Sequence, residues 1–475
     1  MEAIDLLIAF NQNLPIDAIR PLTSGRRNAV FLSSHQVFPN EREAIAALGF
    51  QDFQILTFSD LLTDAELEAI DNRVSSSLGH AAPQDFIPMF SENINYEKNA
   101  LAYSRLLDRY SFLEVYACGG LGISARFWKE KGAHLLGELP TTGSWGIMDR
   151  LRAKANHLMS VVPVHVVRSG TTAYLFYGPV RRLRFVEGTQ VESGAVRVLF
   201  GGFDRFVRQR SKIGNGIPST TIHGFTDPAL LKYRDLHIFI DGFHPPNYTR
   251  SYIDFYGDAI FVTRTMFDNQ WFSQNGKRTI KLPALIRKDV MRKLSAVGRI
   301  RTVIALLNHA GDWSALINRS DTDRLVAAVA GLSERFQQIN FIIRVHPTMV
   351  HEHHEGRNSI QRIKEYVRWM NRSNLSVSQL ELHEDFERGD LFLSEYSQTA
   401  IDAAVMGKRI LVTNLTGRRS FMKCYEDLGF PSVTSTVELV SWLEEQLADP
   451  TRGDQQQNEA VDLYNRMLDD YLAAD

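Results

Sequence analysis

The chain reads as an α/β protein of two doubly wound, Rossmann-like domains, residues 1–290 and 291–475, facing a central cleft. Three observations predict this. Apolar runs of strand length recur along all 475 residues, helical patterns separate them, and turn residues punctuate the joints without any internal repeat. Such alternation implies parallel sheets with right-handed crossovers.

In the amino-terminal half, residues 28–33 (NAVFLS) and 54–58 (QILTF) read as strands, and 63–77 as a helix capped by Thr63 or Asp64. A helix over 99–110 and a strand over 112–117 follow. The turn Cys118-Gly119-Gly120-Leu121-Gly122 then opens a helix through Phe127 and Trp128. It is not a GxGxxG fingerprint, and a tight βα turn explains it. Strands are expected at 163–167, 173–177, 196–200 and 258–263. The most apolar strand is 236–240 (LHIFI), which runs directly into Asp241-Gly242-Phe243-His244. Residues 281–285 resemble a domain exit, and punctuation over 283–298 sets the boundary near 290. Beyond it come a strand at 302–307 (TVIALL), a helix at 321–335, a strand at 340–345 (NFIIRV) ending on His346-Pro347, and a helix at 360–370. The unit at 389–415 and helices over 436–448 and 458–474 complete the chain.

Composition excludes several functions. With 53 Lys+Arg against 55 Asp+Glu, the chain lacks the basic excess of a general nucleic-acid binder. Two cysteines, Cys118 and Cys424, provide neither a disulfide framework nor a cysteine zinc site, which fits a reducing cytoplasm. The opening MEAIDLLIAFNQNLP lacks the basic region and cleavage site of a signal peptide, and no window approaches 18 apolar residues. Any work at a membrane is therefore expected to be peripheral.

The most informative stretch is 389–415, GDLFLSEYSQTAIDAAVMGKRILVTNL. It reads as strand, hydroxyl-rich turn, helix stopped by Gly407, and second strand. This places Ser394, Glu395, Ser397, Gln398 and Thr399 at a helix N-terminus, where backbone N–H groups and the helix dipole favour an anion. A Ser or Thr that only caps the helix satisfies the same residues. His346-Pro347 and Asn308-His309 lie at neighbouring strand ends, where open α/β sheets gather ligands. Arg418 and Arg419 follow the 410–412 strand and suit bidentate phosphate or carboxylate binding. Asp241, with Asp235 as the lesser candidate, is the expected acid of the first domain, and His244 a donor to substrate. The cluster His351, Glu352, His353, His354, Glu355 is not the helical HExxH pattern, so no metal site is expected.

A strand ending RVHP at 344–347, followed by GDLFLSEYSQTAIDAAVMGKRILV, resembles the nucleotide-binding half of GT-B glycosyltransferases of bacterial surface polysaccharide synthesis. The pattern is similar to that of capsule and lipopolysaccharide β-Kdo transferases and of CDP-glycerol glycerophosphotransferases. The resemblance covers roughly residues 300–445. Its matching positions are His346, Pro347, Ser394, Glu395, Tyr396, Ser397, Gln398, Thr399 and Asp402, with Glu395 and Gln398 departing from the family's Asp and Ser. It implies that these residues hold the phosphate and ribose of a cytidine nucleotide donor, with no metal or other cofactor. CMP-Kdo is the first donor implied and CDP-glycerol or another alditol phosphate the second; the acceptor is a glycan or lipid-linked glycan. A retaining reaction makes Asp241 the nucleophile, and an inverting one makes it the general base. UDP-sugar 2-epimerases share the architecture and are the alternative.

Overall fold

The amino-terminal run that the sequence presents only as an apolar stretch is the central strand of a sheet. β1 (Glu2–Phe10) buries both of its faces, with Leu6, Ile8 and Phe10 in one core and Leu7 and Ala9 in the other. Such a continuous apolar run is what a parallel strand covered on both sides requires. In this computed structural model the described residues are 2–10, 14–77, 83–118, 124–136, 163–169, 172–177, 196–201, 216–221, 236–239, 258–263, 266–281, 299–307, 319–346, 356–378, 380, 382–395, 397–405, 407–415, 429–449 and 462.

The first sheet adds β2 (Asn28–Ser33), β3 (Asp52–Thr57), β4 (Tyr110–Cys118) and β5 (His134–Leu136). Its order is β3-β2-β1-β4-β5, all parallel. Winding therefore starts at β1 and reverses between β1 and β4. The longer helices are α1 (Pro39–Ala46), α2 (Asp64–Ser77), α3 (Pro83–Leu107) and α4 (Ala125–Glu130), with short turns of helix at Ile16–Ile19, Arg20–Thr23 and Phe58–Leu61. Thr63 caps α2 as expected: Glu66 N donates to Thr63 Oγ1 (3.2 Å) and Thr63 N to Glu66 Oε2 (2.8 Å).

The second sheet holds β6 (Pro163–Ser169), β7 (Thr172–Tyr177), β8 (Val196–Gly201), β9 (Gly216–Thr221), β10 (His237–Phe239), β11 (Ile260–Thr263) and β12 (Arg278–Lys281), with α5 (Met266–Gln274) between the last two. Its order follows the chain, β12-β11-β10-β9-β8-β7-β6. β6 and β7 are antiparallel and the rest parallel, so every crossover steps in one direction. Residues 1–290 thus contribute two sheets. The expected domain exit at Lys281 is the end of edge strand β12, paired with Thr263. The boundary at 290 and all but Asp462 of the helix expected over 458–474 lie outside the described residues.

The third sheet comprises β13 (Thr302–Leu306), β14 (Asn340–Arg344), β15 (Leu375–Val377), β16 (Leu391–Ser394), β17 (Arg409–Thr413) and β18 (Ser432–Val433). The order β15-β14-β13-β16-β17-β18, all parallel, is 3-2-1-4-5-6 counted from its own first strand, the doubly wound order of dinucleotide-binding folds. α6 (Arg319–Arg335), α7 (Gly356–Met370) and α10 (Thr436–Ala448) cover one face, packing Leu325, Val329, Ile363 and Leu439 on Val303, Ala305, Leu393 and Leu411. On the other face α8 (Leu382–Arg388) sets Phe386 edge-on to Phe392. Gly389 joins α8 to β16 where a Cβ would come within 2.5 Å of Phe392 and 2.8 Å of Ile304. α9 (Gln398–Val405) ends as expected at Gly407, whose φ of 81° belongs to glycine. Lys408 N donates to Ala403 O (3.0 Å) and Gly407 N to Ala404 O (2.9 Å), the paired bonds that close a helix through a left-handed residue.

The first and third sheets are joined through the segment after β2 and α1 on one side and α6 and α7 on the other. Phe38, just past β2, lies between the guanidinium of Arg362 on α7 (4.1 Å) and the ring of Tyr366 (4.2 Å, 8° between planes). Arg362 donates to Asp323 Oδ2 (2.7 Å), to Glu41 Oε2 (2.9 Å) and to the Gln36 carbonyl, and is 6% exposed. Burial opposes its charge, but the Asp323 and Glu41 carboxylates outweigh that, so its pKa stands above the ordinary arginine value. Trp369 Nε1 donates to Glu43 (2.9 Å), and Arg324 Nη2 to Ser59 Oγ (2.7 Å) beyond β3.

Candidate functional site

A crevice forms in a doubly wound sheet where the winding reverses, because the loops leaving the two central strands diverge to opposite faces. In the third sheet that point lies between β13 and β16, where Leu306 is in register with Ser394. Arg344, last residue of β14, is in register with Leu306, so Arg344, Leu306 and Ser394 align across three adjacent strand ends.

The expected turn is therefore at the switch point. Ser394 is 1% exposed, and its Oγ has no hydrogen-bond partner among the described residues. Glu395, next along, is 6% exposed. Ser397 precedes α9 and accepts the Thr399 N–H at its Oγ (3.2 Å), while Ala400 N donates to its carbonyl (2.9 Å). The Ser397 hydroxyl is thus the helix cap that the sequence also allowed. Gln398 and Thr399 are the first two residues of the helix. His346 is half-buried two residues beyond β14, on the strand that neighbours β13.

The strand that carries His346 is anchored by residues the sequence did not single out. Arg344 pairs with the fully buried Asp385 of α8 and donates to Leu380 O (2.9 Å); Asp385 also accepts from Ser378 Oγ (2.7 Å) and Arg388 Nε (2.8 Å). Arg344 and Asp385 stand 41 residues apart, and no local pattern signals such a pair.

Asn308, Pro347, Tyr396 and Arg418 lie outside the described residues, as do Asp235, Asp241, His244 and the 351–355 cluster. The strand leading to Asp241 is described as β10 (His237–Phe239), and it pairs on both sides with sequential neighbours. No winding reversal occurs among the described strands of its sheet, so the strand-end rule that recommended Asp241 applies more strongly to the third sheet. Among the described residues no group of three His, Cys, Asp or Glu side chains could hold a metal ion, and no helix is long and apolar enough to cross a membrane.

No protein-family model matches the chain, and no curated protein matches it by sequence. Solved structures that resemble it include Anabaena Alr3699/HepE in complex with UDP and glucose, at 10% identity over 98% of this chain and 95% of that one, with a TM-score of 0.35. OtsA aligns at 9% identity over 98% and 96%, with a TM-score of 0.36. The wall teichoic acid polymerase TagF, soaked with CDPG, aligns at 13% identity over 58% and 72%, with a TM-score of 0.35. Superpositions this loose carry no functional argument. What the structure presents is an α/β chain whose third sheet sets a hydroxyl-bearing helix N-terminus at its switch point.

Proposed function

We propose that the chain is a GT-B glycosyltransferase that moves a sugar from a nucleotide donor to a surface glycan, with CMP-Kdo as donor and CDP-glycerol as the runner-up. The observation that carries the reading is the position of Ser394, Ser397 and Thr399 at the switch point of a 3-2-1-4-5-6 sheet, with a buried Ser394 hydroxyl that has no partner among the described residues. In this reading residues 291–475 hold the donor, and residues 1–290 hold the glycan or lipid-linked glycan acceptor. The enzyme works in the cytoplasm, peripheral to the inner membrane.

The chemistry follows from what these groups can do. When the bond from the anomeric carbon to the donor phosphate breaks, negative charge develops on the phosphate oxygen. The α9 N-terminus and the Ser394 hydroxyl stabilise that charge, and His346 donates a proton or hydrogen bond to it. This role needs no metal. Asp241 receives the proton of the acceptor hydroxyl in an inverting reaction or bonds the anomeric carbon in a retaining one.

A thermal-shift screen of the full chain against CMP, CDP, UMP, UDP, GDP and dTDP tests the donor class. A nucleotide at about 100 times its dissociation constant stabilises the fold by about 2.7 kcal/mol. Cytidine nucleotides are expected to give the largest shift; a uridine or guanosine preference overturns the donor assignment. Conversion of UDP-GlcNAc without an acceptor would identify an epimerase instead.

A further inference from the structure

Arg344, the last residue of β14, is held at its strand end by only one edge of its guanidinium. Nη1 pairs with the fully buried Asp385 and donates to Leu380 O (2.9 Å). Nε and Nη2 make no hydrogen bond or ion pair among the described residues, and neither nitrogen is sealed from solvent, the side chain being 15% exposed. These are the donors of a bidentate fork. Arg388 differs: its Nε donates to Asp385 Oδ1 (2.8 Å) and its Nη2 to Ser378 Oγ (3.2 Å), so the corresponding edge is occupied. Two guanidiniums thus share the single Asp385 carboxylate, which leaves one positive charge unbalanced, and Arg344 keeps the free fork.

The place of Arg344 in the sheet is a second, independent observation. Arg344 is in register with Leu306, and Leu306 with Ser394, and residues in register on parallel strands share a face. Ala305, Ile343 and Leu393 pack in the core under α6 and α7, so by the two-residue period of a strand Arg344 and Ser394 belong to the opposite face, which α8 covers. Arg344 and Ser394 therefore flank the end of β13 on one face, with their backbones about 10 Å apart, or two strand spacings. His346 follows Arg344 by two residues.

We infer that Arg344 is a donor-binding residue whose Nε and Nη2 take two oxygens of an oxyanion on the nucleotide donor, a phosphate or a carboxylate of the transferred group, while Asp385 holds the other edge. The inference rests on the nucleotide-donor reading above. An arginine clamped by a buried carboxylate has lost much of its side-chain freedom before the ligand arrives, so less entropy opposes the contact. The contact itself is charge-assisted and bidentate. Lysine would keep the charge beside Asp385 but offers no planar fork.

Calorimetric titration of the full chain with CMP, CDP, CMP-Kdo, UDP and GDP, with melting temperatures measured alongside, tests it. Arg344→Lys is expected to weaken the nucleotides that wild type binds about tenfold with little change in melting temperature. Arg388→Gln, whose fork is already committed, is expected to change affinity by less than about twofold. Loss of CMP affinity assigns the fork to the phosphate next to the nucleoside, loss with CDP but not CMP to a second phosphate, and loss with CMP-Kdo but not CMP to the sugar carboxylate; each supports the inference. Unchanged affinity in Arg344→Lys for every nucleotide that wild type binds overturns it. Equal losses in Arg344→Lys and Arg388→Gln also overturn it, because Arg344 then acts only through the fold. On wild type, phenylglyoxal labelling read by peptide mass analysis is expected to mark Arg344 in the free chain and to spare it when nucleotide is bound; labelling indifferent to nucleotide counts against the inference whether or not the variants fold. A chain that binds uridine or guanosine nucleotides and loses them in Arg344→Lys keeps this role for Arg344 and loses only the cytidine assignment. A chain that binds no nucleotide loses both.

Discussion

The second and third sheets are both built mainly from parallel strands, yet of the two only the third reverses its winding among the described strands. In the third sheet the chain starts at β13, winds outward through β14 and β15, and returns to lay β16 on the other side of β13. In the second, from β7 onward, each strand is laid beside its predecessor in one direction. A very apolar strand such as β10 is therefore no guide to a site. The reversal of winding is.

The largest expected effect tests whether the first and third sheets act as one frame. Arg362→Met leaves the buried Asp323 and the half-buried Glu41 without their cation, and urea unfolding should show a loss of about 3–5 kcal/mol. Removing the exposed Arg335–Glu444 pair should cost less than about 1 kcal/mol. Equal losses would mean the two sheets are not joined there.

The next test compares the switch point with the end of β10. The double change Ser394→Ala and Thr399→Val should weaken nucleotide binding about tenfold, or about 1.4 kcal/mol, by calorimetry. Asp241→Asn should leave that affinity within about twofold while lowering turnover, since the role proposed for it concerns the transferred group. Stronger loss from Asp241→Asn would move the nucleotide to the second sheet.

The smallest effect concerns Cys118 at the end of β4, beside the reversal of the first sheet. Burial pushes its thiol up to about 12 from an ordinary 9.0. A pKa raised on folding contributes stability that is complete below about 9 and lost as pH climbs toward about 12. In a Cys424→Ser chain the native thiol should resist a disulfide reagent at pH 8 and react on unfolding. The urea midpoint should fall between pH 8 and 10. Rapid labelling of the native chain would show an open β4 end.

Much of the third sheet was legible because its signals are local. The apolar runs TVIALL, NFIIRV and LFLS mark β13, β14 and β16 to within a residue or so, and Gly407 marks the end of α9 through its left-handed backbone. Ser397 illustrates the limit. Its sequence context fits a cap and an anion ligand equally, and the structure shows the cap in place. β1 was missed because a strand buried on both faces has no alternation and resembles any apolar opening. Arg344–Asp385, Arg362–Glu41 and Arg324–Ser59 join residues 41, 321 and 265 positions apart, beyond any window of periodicity.

The sequence by itself determined the α/β class, most strands and helices, and the hydroxyl-rich turn at 394–399, because strand and helix periods of 2 and 3.6 residues are written in neighbouring side chains. Only the tertiary structure decided that residues 1–290 build two sheets, that Ser394 ends beside Leu306 at a reversal of winding, and that Arg324 spans two strand ends. Strand order follows from which crossovers pack their apolar faces, a choice made by contacts between distant segments.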